Sequence, residues 1–451
     1  MALALALAWP GVAQGVPSFA RQTGMPCTAC HTEFPQLTPF GRFFKLTGYT
    51  LGGGDTRLPP IAAMANGGFT HTDGDQNRHD LPQDYLQNDN WSFNQVSLFY
   101  AGRLVGPYSE TLETAIGERT GDALEHVGMF IQGTWDGVEQ EWALDNAEVR
   151  AATSTQVAGQ NVIVGAYTNN NPTMQDVWNT TPAWAYPFST SGLAPSPTAA
   201  PLIAGGVAQQ VMGFGAYTML ADLLYLEAGT YKTVNTSTQE NLGIDPEGET
   251  QIDTWAPYWR VALQKTAGPH SIEVGTYGLS ARTFPGRDES EGHDHFSDVG
   301  VDTQYQYLSE QNDITLGANW IQEHQNLGAS QALGLATNRT NILWTAAVTG
   351  SYLFDKTIGF DTQYFVSGGD GDALLYGSQT GEPGSEGWIF QLNYLPFNKK
   401  EGPSFWPKSN VKFSLQYTLY QRFDGSHANY DGTGRTASEN NTLYLEAWLA
   451  L

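Results

Sequence analysis

Residues 409–423 alternate with period two. Val411, Phe413, Leu415, Tyr417 and Leu419 fall on one side of an extended chain, and Lys412, Ser414, Gln416, Thr418 and Tyr420 on the other. A helical period of 3.6 would scatter both sets, so the segment reads as a strand with one apolar and one polar face. Residues 301–308 repeat the scheme (Val301, Thr303, Tyr305 and Tyr307 against Asp302, Gln304, Gln306 and Leu308), as do Ile314, Leu316, Ala318 and Trp320 against Thr315, Gly317 and Asn319. About sixteen such segments can be placed, near 59–72, 91–105, 125–136, 140–153, 157–168, 207–219, 222–234, 254–266, 269–281, 297–309, 312–324, 340–354, 357–369, 386–397, 409–423 and 441–451. Each has ten or more residues, whereas sandwich strands usually have about 5–6 and a tilted strand crosses a bilayer with roughly 9–11.

The connections sort into two kinds. Those at 219–222, 267–269, 310–312 and 354–356 are tight, and between them lie long polar loops near 235–253, 282–296, 325–339 and 370–385. Short turns on one side and long loops on the other are the pattern of an outer-membrane barrel. With 50 glycines and 12% aromatic residues, the composition suits many turns and interfacial aromatic girdles. The expected fold is all-β: a porin-like antiparallel transmembrane barrel of about sixteen strands over residues 55–451. An even strand count puts both termini in the periplasm. Two features depart from the pattern. The chain ends in Leu451, where many bacterial barrels end in an aromatic, although Trp448 lies close by. The stretch 107–124 should be a short turn, yet Ser109–Glu118 reads as an inserted helix.

The beginning of the chain differs. Residues 1–9 form a short apolar run followed by small residues, with cleavage expected near Ala13 or Gly15, so 1–15 reads as a signal peptide lacking a basic start. No run reaches the roughly 18 apolar residues of a membrane-spanning helix. The net charge of −25 excludes a nucleic-acid partner and would concentrate cations near any opening.

Residues 16–54 carry Cys27-Thr-Ala-Cys30-His31, and these are the only two cysteines of 451 residues. C-x-x-C-H is the attachment signature of c-type haem: two thiols add across the haem vinyl groups, and the adjacent imidazole binds iron. A zinc site would need a second cysteine pair, and a thioredoxin-like pair would need a βαβ context. A short helix with an apolar side is expected at 38–46, and Leu51-Gly-Gly-Gly54 is a connector. Domains below about 40 residues usually need outside help, so the barrel is expected to cover part of the haem.

Phe19-Ala-Arg-Gln-Thr-Gly-Met-Pro-Cys-Thr-Ala-Cys-His31, Phe40-Gly-Arg42, Gly48-Tyr49, Val96-Ser-Leu-Phe-Tyr-Ala-Gly-Arg103, Asn169-Asn-Asn-Pro172 and Gln175-Asp-Val-Trp-Asn179 resemble the fused cytochrome–porin family of outer-membrane iron oxidases. The likeness is specific in the first 50 residues and patchy beyond. It implies oxidation of extracellular Fe(II) through one covalent haem c, with the electron passed to a periplasmic soluble cytochrome or similar carrier. A diffusion porin with a structural or sensory haem plug, and the same conduit exporting electrons to extracellular acceptors, are the competing readings.

The sixth iron ligand stays open. A thioether would raise the potential relative to a second imidazole. Met25, Met64 and Met174 are the candidates weighed, with Met174 in a long loop, 169–206, that can fold into the lumen as constriction loops do. Two outer loops carry acid and imidazole together: His71, Asp73, Asp75, His79 and Asp80 in one, and Asp288, Glu289, Glu291, His293, Asp294 and His295 in the other. Such groups suit divalent iron, and they read either as iron-entry sites or as solvated loops.

Overall fold

The structure, a computed structural model, describes residues 16–54, 58–105, 118–184, 188–246, 250–399, 402 and 408–451. The expected signal peptide, 1–15, and most of the helix expected at 109–118 lie outside the described residues; a helix, Glu118–Glu125, follows directly.

Sixteen strands form the barrel: β1 (Ile61–Thr72), β2 (Asn90–Arg103), β3 (Val127–Asp136), β4 (Glu141–Val157), β5 (Gln160–Asn169), β6 (Val211–Leu220), β7 (Leu224–Thr233), β8 (Ala256–Ala267), β9 (His270–Phe284), β10 (Asp294–Leu308), β11 (Asn312–Asn326), β12 (Thr340–Phe354), β13 (Ile358–Gly369), β14 (Glu386–Tyr394), β15 (Asn410–Arg422) and β16 (Thr442–Ala450). Each pairs antiparallel with its neighbours in sequence, and β1 closes the cylinder against β16 from Met64↔Ala450 to Thr72↔Thr442. A two-residue strand, Gln251–Ile252, extends the sheet beside the end of β9. Closure leaves no open edge, as a sheet in lipid requires. β14 stops at nine residues, short of the twelve expected, because Pro396 has no N–H for the ladder.

The register agrees with the alternation. Phe413 and Leu415 are exposed on the outer wall, whereas Lys412, Ser414, Gln416 and Thr418 are buried in the lumen. Outside, Leu98, Val261, Leu263, Val301, Leu316, Val348 and Leu392 form an apolar belt. Exposed Trp91, Trp142, Trp255 and Trp388 flank it on the long-loop side, and Tyr352, Phe354 and Tyr394 on the other, as interfacial girdles do.

One long-side connection is short. Gly137–Gln140 turns tightly because Asp136 Oδ1 accepts from Val138 N at 2.7 Å and Glu139 N at 3.0 Å. Val138 then packs under the neighbouring loops with Leu81 and Leu193. By the short turns of its other end, that end is periplasmic.

Two segments occupy the lumen. The first is residues 16–54, with helices α1 (Pro17–Thr23), α2 (Cys27–Cys30) and α3 (Pro39–Leu46). Arg42 donates to Gln304 Oε1 at 2.8 Å and Ser271 Oγ at 2.6 Å. On other walls Tyr217 OH donates to the Leu46 carbonyl at 2.6 Å, Tyr49 OH to Glu148 Oε1 at 2.9 Å and Ser18 Oγ to the Ala101 carbonyl at 2.7 Å. The segment therefore meets β2, β4, β6, β9 and β10, at the midpoint of β4 and in the periplasmic halves of the others. The second is the loop between β5 and β6, which folds inward as expected. Arg260 of β8 pairs with Asp176 of this loop at 3.4 Å and with Asp302 of β10 at 2.7 Å. Further along, Leu202 N and Ile203 N donate to Glu323 and Asp298 at 2.6 and 2.7 Å.

Candidate functional site

The C-x-x-C-H stretch sits between α1 and α3. Gly24, with φ of 74°, ends α1 and returns its N–H to the Ala20 carbonyl. Pro26 then caps the single turn of α2, which carries the two thiols at i and i+3 on one side. His31 leaves the turn extended, its N–H bonded to the Cys27 carbonyl at 3.0 Å, and bridges to Leu37. Its Nδ1 lies 3.2 Å from the Gln36 carbonyl. A ring nitrogen held this way carries the proton, which leaves Nε2 as the lone-pair donor for a metal.

α3 is fixed against α2. Thr38 caps α3 by accepting from Gly41 N at 3.2 Å, while its own hydroxyl donates to the Ala29 carbonyl at 2.6 Å and its N–H to the Cys30 carbonyl at 2.9 Å. Gly41 is required at the crossing: a Cβ there would lie 2.2 Å from the Cys30 carbonyl oxygen.

These elements form a cavity lined by Cys27, Cys30 and His31, by Phe19, Phe44 and Tyr49 of the same segment, by Phe130 of β3, and by Asn179 and Trp184 of the inward loop. The aromatic wall is continuous: Phe19 meets Phe44 at 5.0 Å and Tyr49 at 5.3 Å, and Phe130 meets Trp184 at 6.2 Å between ring centres. Burial pushes the Cys27 thiol up and the Cys30 thiol to about 12, the latter aided by Cys27. Burial also pulls His31 down to about 4, against the Gln36 and Pro35 carbonyls, so the imidazole is neutral at pH 7 and able to ligate. The two thiols, the oriented imidazole and the apolar lining fit a covalently held haem c.

The three methionine candidates separate. Met25 lines the cavity at its exposed edge. Met64 is buried with its Sδ 3.4 Å from the Trp448 indole nitrogen. Met174 is buried in the inward loop, and its carbonyl accepts from Lys45 Nζ and Trp184 Nε1. Both belong to the apolar cluster around the segment without lining the cavity.

The acidic loops lie at the long-loop end, as expected, with their side chains bound separately. His71 Nδ1 meets Asp89 at 2.7 Å, and Asp73 accepts from Asn441 Nδ2 at 3.0 Å. Asp75 accepts from Asn88 Nδ2 at 3.4 Å, and His79 and Asp80 form an exposed turn. In the other loop Asp288 accepts from Ser290 N at 2.8 Å, Glu289 and Glu291 are exposed, His293 meets Arg282 at 3.1 Å, and His295 meets Ser280 at 3.0 Å. Asp294 is buried and caps the backbone of Ala329 and Ser330 at 2.8 and 3.1 Å. No group of three or more potential metal-ligating His, Cys, Asp or Glu side chains occurs among the described residues.

Lys45, Gly41, Phe130 and Trp184 are site residues that sequence reasoning missed. Arg42 and Lys45 lie three apart on α3, a spacing that reads as the solvated side of an amphipathic helix; the polar inward faces of the strands were the signal that such a side could be buried in a lumen.

The closed barrel, its apolar belt and aromatic girdles define an outer-membrane β-barrel protein of porin type, located in the bacterial outer membrane. No family model matches the chain, and no curated protein does. Among solved structures, the outer membrane channel DcaP of Acinetobacter baumannii aligns over 87% of this chain and 96% of its own at 10% identity, with a TM-score of 0.44. The anion-selective porin from Comamonas acidovorans aligns over 86% and 98% at 10% identity, TM-score 0.44. OmpT of Vibrio cholerae aligns over 87% and 96% at 8% identity, TM-score 0.41.

Proposed function

We propose that this chain is an iron(II)-oxidising c-type cytochrome oxidoreductase of the fused cytochrome–porin kind, with residues 16–54 as its monohaem segment. It takes electrons from extracellular Fe(II) and passes them to a one-electron periplasmic carrier such as a soluble cytochrome. The observation that carries the reading is the C-x-x-C-H turn at the wall of an apolar cavity inside the barrel, with His31 Nδ1 tied to a carbonyl and its other nitrogen free. Haem c held there by Cys27, Cys30 and His31 supplies a one-electron store between donor and carrier.

The rest is the work of this chain's residues. Cys27 and Cys30 would hold the group covalently, and His31 would ligate its iron. Phe19, Phe44, Phe130 and Trp184 exclude water and lower the local dielectric, which tunes the potential. Among the described residues the loops of the outer end hold 19 Asp or Glu against 4 Lys or Arg, most of the chain's net charge of −25, and this field draws a divalent cation toward the mouth. Each Fe(II) that loses an electron leaves as Fe(III) on the outside, so poorly soluble ferric product does not form in the periplasm.

The test is the purified full-length protein with a Cys27→Ala/Cys30→Ala variant. The parent should stain for haem on a denaturing gel, and its haem spectrum should report reduction by Fe(II) in stopped flow. The variant should lose both signals. A stain that survives the double change overturns the attachment, and a stained parent that Fe(II) does not reduce overturns the reaction.

A further inference from the structure

Lys45 is 4% exposed, and lysine is almost never fully buried unless paired. Three other buried cations of the lumen obey that rule: Arg150 meets Glu148 at 2.9 Å, Arg260 meets Asp302 at 2.7 Å, and Lys412 faces Glu446 at 3.6 Å. Lys45 differs. Its Nζ donates to the Met174 carbonyl at 2.8 Å and to Asn179 Oδ1 at 2.9 Å, and lies 4.5 Å from the centre of the Trp184 ring. All three partners are neutral, and among the described residues no carboxylate stands within ion-pair distance of it. Of the nearby acids, Glu148 is committed to Arg150 and Asp176 to Arg260, while Glu227 accepts from Tyr167, Gln175 and Tyr225. Burial pulls the ammonium down to about 7, against the pull of Glu148.

The position of this cation is informative. Lys45 lines the cavity and is the one Lys or Arg among its lining residues. A buried ammonium without an ion-pair partner, on a residue that lines an apolar space, calls for an anion delivered by whatever fills that space. Haem carries its negative charge on two propionate carboxylates at the rim of the ring. We propose that Lys45 is the counter-charge of the cavity, its ammonium pairing with a haem propionate while Met174 and Asn179 of the inward loop hold the amine on the wall. Lys45 is then a positioning residue that also sets the potential, because a nearby positive charge disfavours the ferric state.

The inference rests on the covalent-haem reading, so the full-length parent is first assayed for one haem per chain by its pyridine haemochrome; a parent without haem overturns that reading and this inference with it. Redox titrations then compare the parent, Lys45→Met and Lys45→Arg. Lys45→Met should shift the one-electron equilibrium toward the ferric form about tenfold, a fall of about 59 mV. Lys45→Arg should stay within about twofold, and the axial-ligand bands should match in all three. Three outcomes overturn the pairing: an unchanged potential in Lys45→Met, an arginine variant that shifts as far as the methionine one, or loss of a nitrogen-ligand signature in Lys45→Met, which would make the amine an iron ligand. If Lys45→Met does not fold, Lys45→Gln carries the same comparison.

Discussion

Gly41→Ala tests whether the close crossing of α2 and α3 builds the site. In an unconstrained helix this change stabilises by roughly 0.5–1 kcal/mol, since alanine loses less backbone entropy. Here the new methyl would lie 2.2 Å from the Cys30 carbonyl oxygen and 3.0 Å from its carbon. Even a close C–H···O approach is about 3.3–3.6 Å, so the two elements must part by roughly 1 Å. The carbonyl cannot yield alone, because it accepts from Thr38 N at 2.9 Å, and the Thr38 hydroxyl ties the same turn through Ala29. Overpacking of this kind costs about 1–3 kcal/mol, and a weakened hydrogen bond adds about 1. The balance is a net loss of about 1–3 kcal/mol, with the thiols displaced from His31. Urea unfolding in lipid vesicles should read the stability loss, and haem per chain should fall in parallel. A variant as stable as the parent, with full haem content, would refute the contact and the reasoning built on it.

Two further predictions concern the barrel. Leu415→Arg on the lipid face should cost about 2–4 kcal/mol near the bilayer midplane, while Gln416→Arg on the lumen face should be milder; equal losses in urea titrations of vesicle-inserted protein would contradict the register. Arg260→Met removes the one guanidinium that meets Asp176, Asp302 and Glu273, and should cost about 3–5 kcal/mol by leaving those acids uncompensated. A loss below about 1 kcal/mol in the same assay would mean that the carboxylates find other partners.

The walls were legible in the sequence because a strand's period of two survives without knowledge of its neighbours. Lys412, Ser414 and Gln416 read as one face and Phe413 and Leu415 as the other, and each lies where the alternation put it. The inward loop was legible in outline, from its length. Its partners were not, since Asp176 finds Arg260 only after the cylinder closes and brings residues 84 apart in sequence together. The same limit hid Lys45: on an isolated α3 it belongs to the wet side, and only the lumen turns that side into an interior. Among Met25, Met64 and Met174 the sequence offered no way to choose, whereas the turn at Gly24 brings Met25 to the cavity edge.

The cavity is assembled from both ends of the barrel, and this solves the problem posed by a short N-terminal segment. Residues 16–54 supply Phe19, Phe44 and Tyr49 to the lining, and the rest of the chain completes it. β3 supplies Phe130, and the loop that enters from the outer end supplies Asn179 and Trp184. That loop is fastened to the wall at Asp302 through Thr180, whose hydroxyl donates at 2.5 Å, and to the segment through Asn179, which donates to the Pro35 carbonyl at 2.9 Å. Loop, wall and segment therefore hold one another, and a group bound at His31 would sit in a dry niche although its attachment segment is too small to make one. The same interlock places covalent structure across the lumen at the height of the cavity, from the periplasmic helices to the loop of the outer face. On the proposed electron-transfer reading, that packed continuity is the path an electron would use.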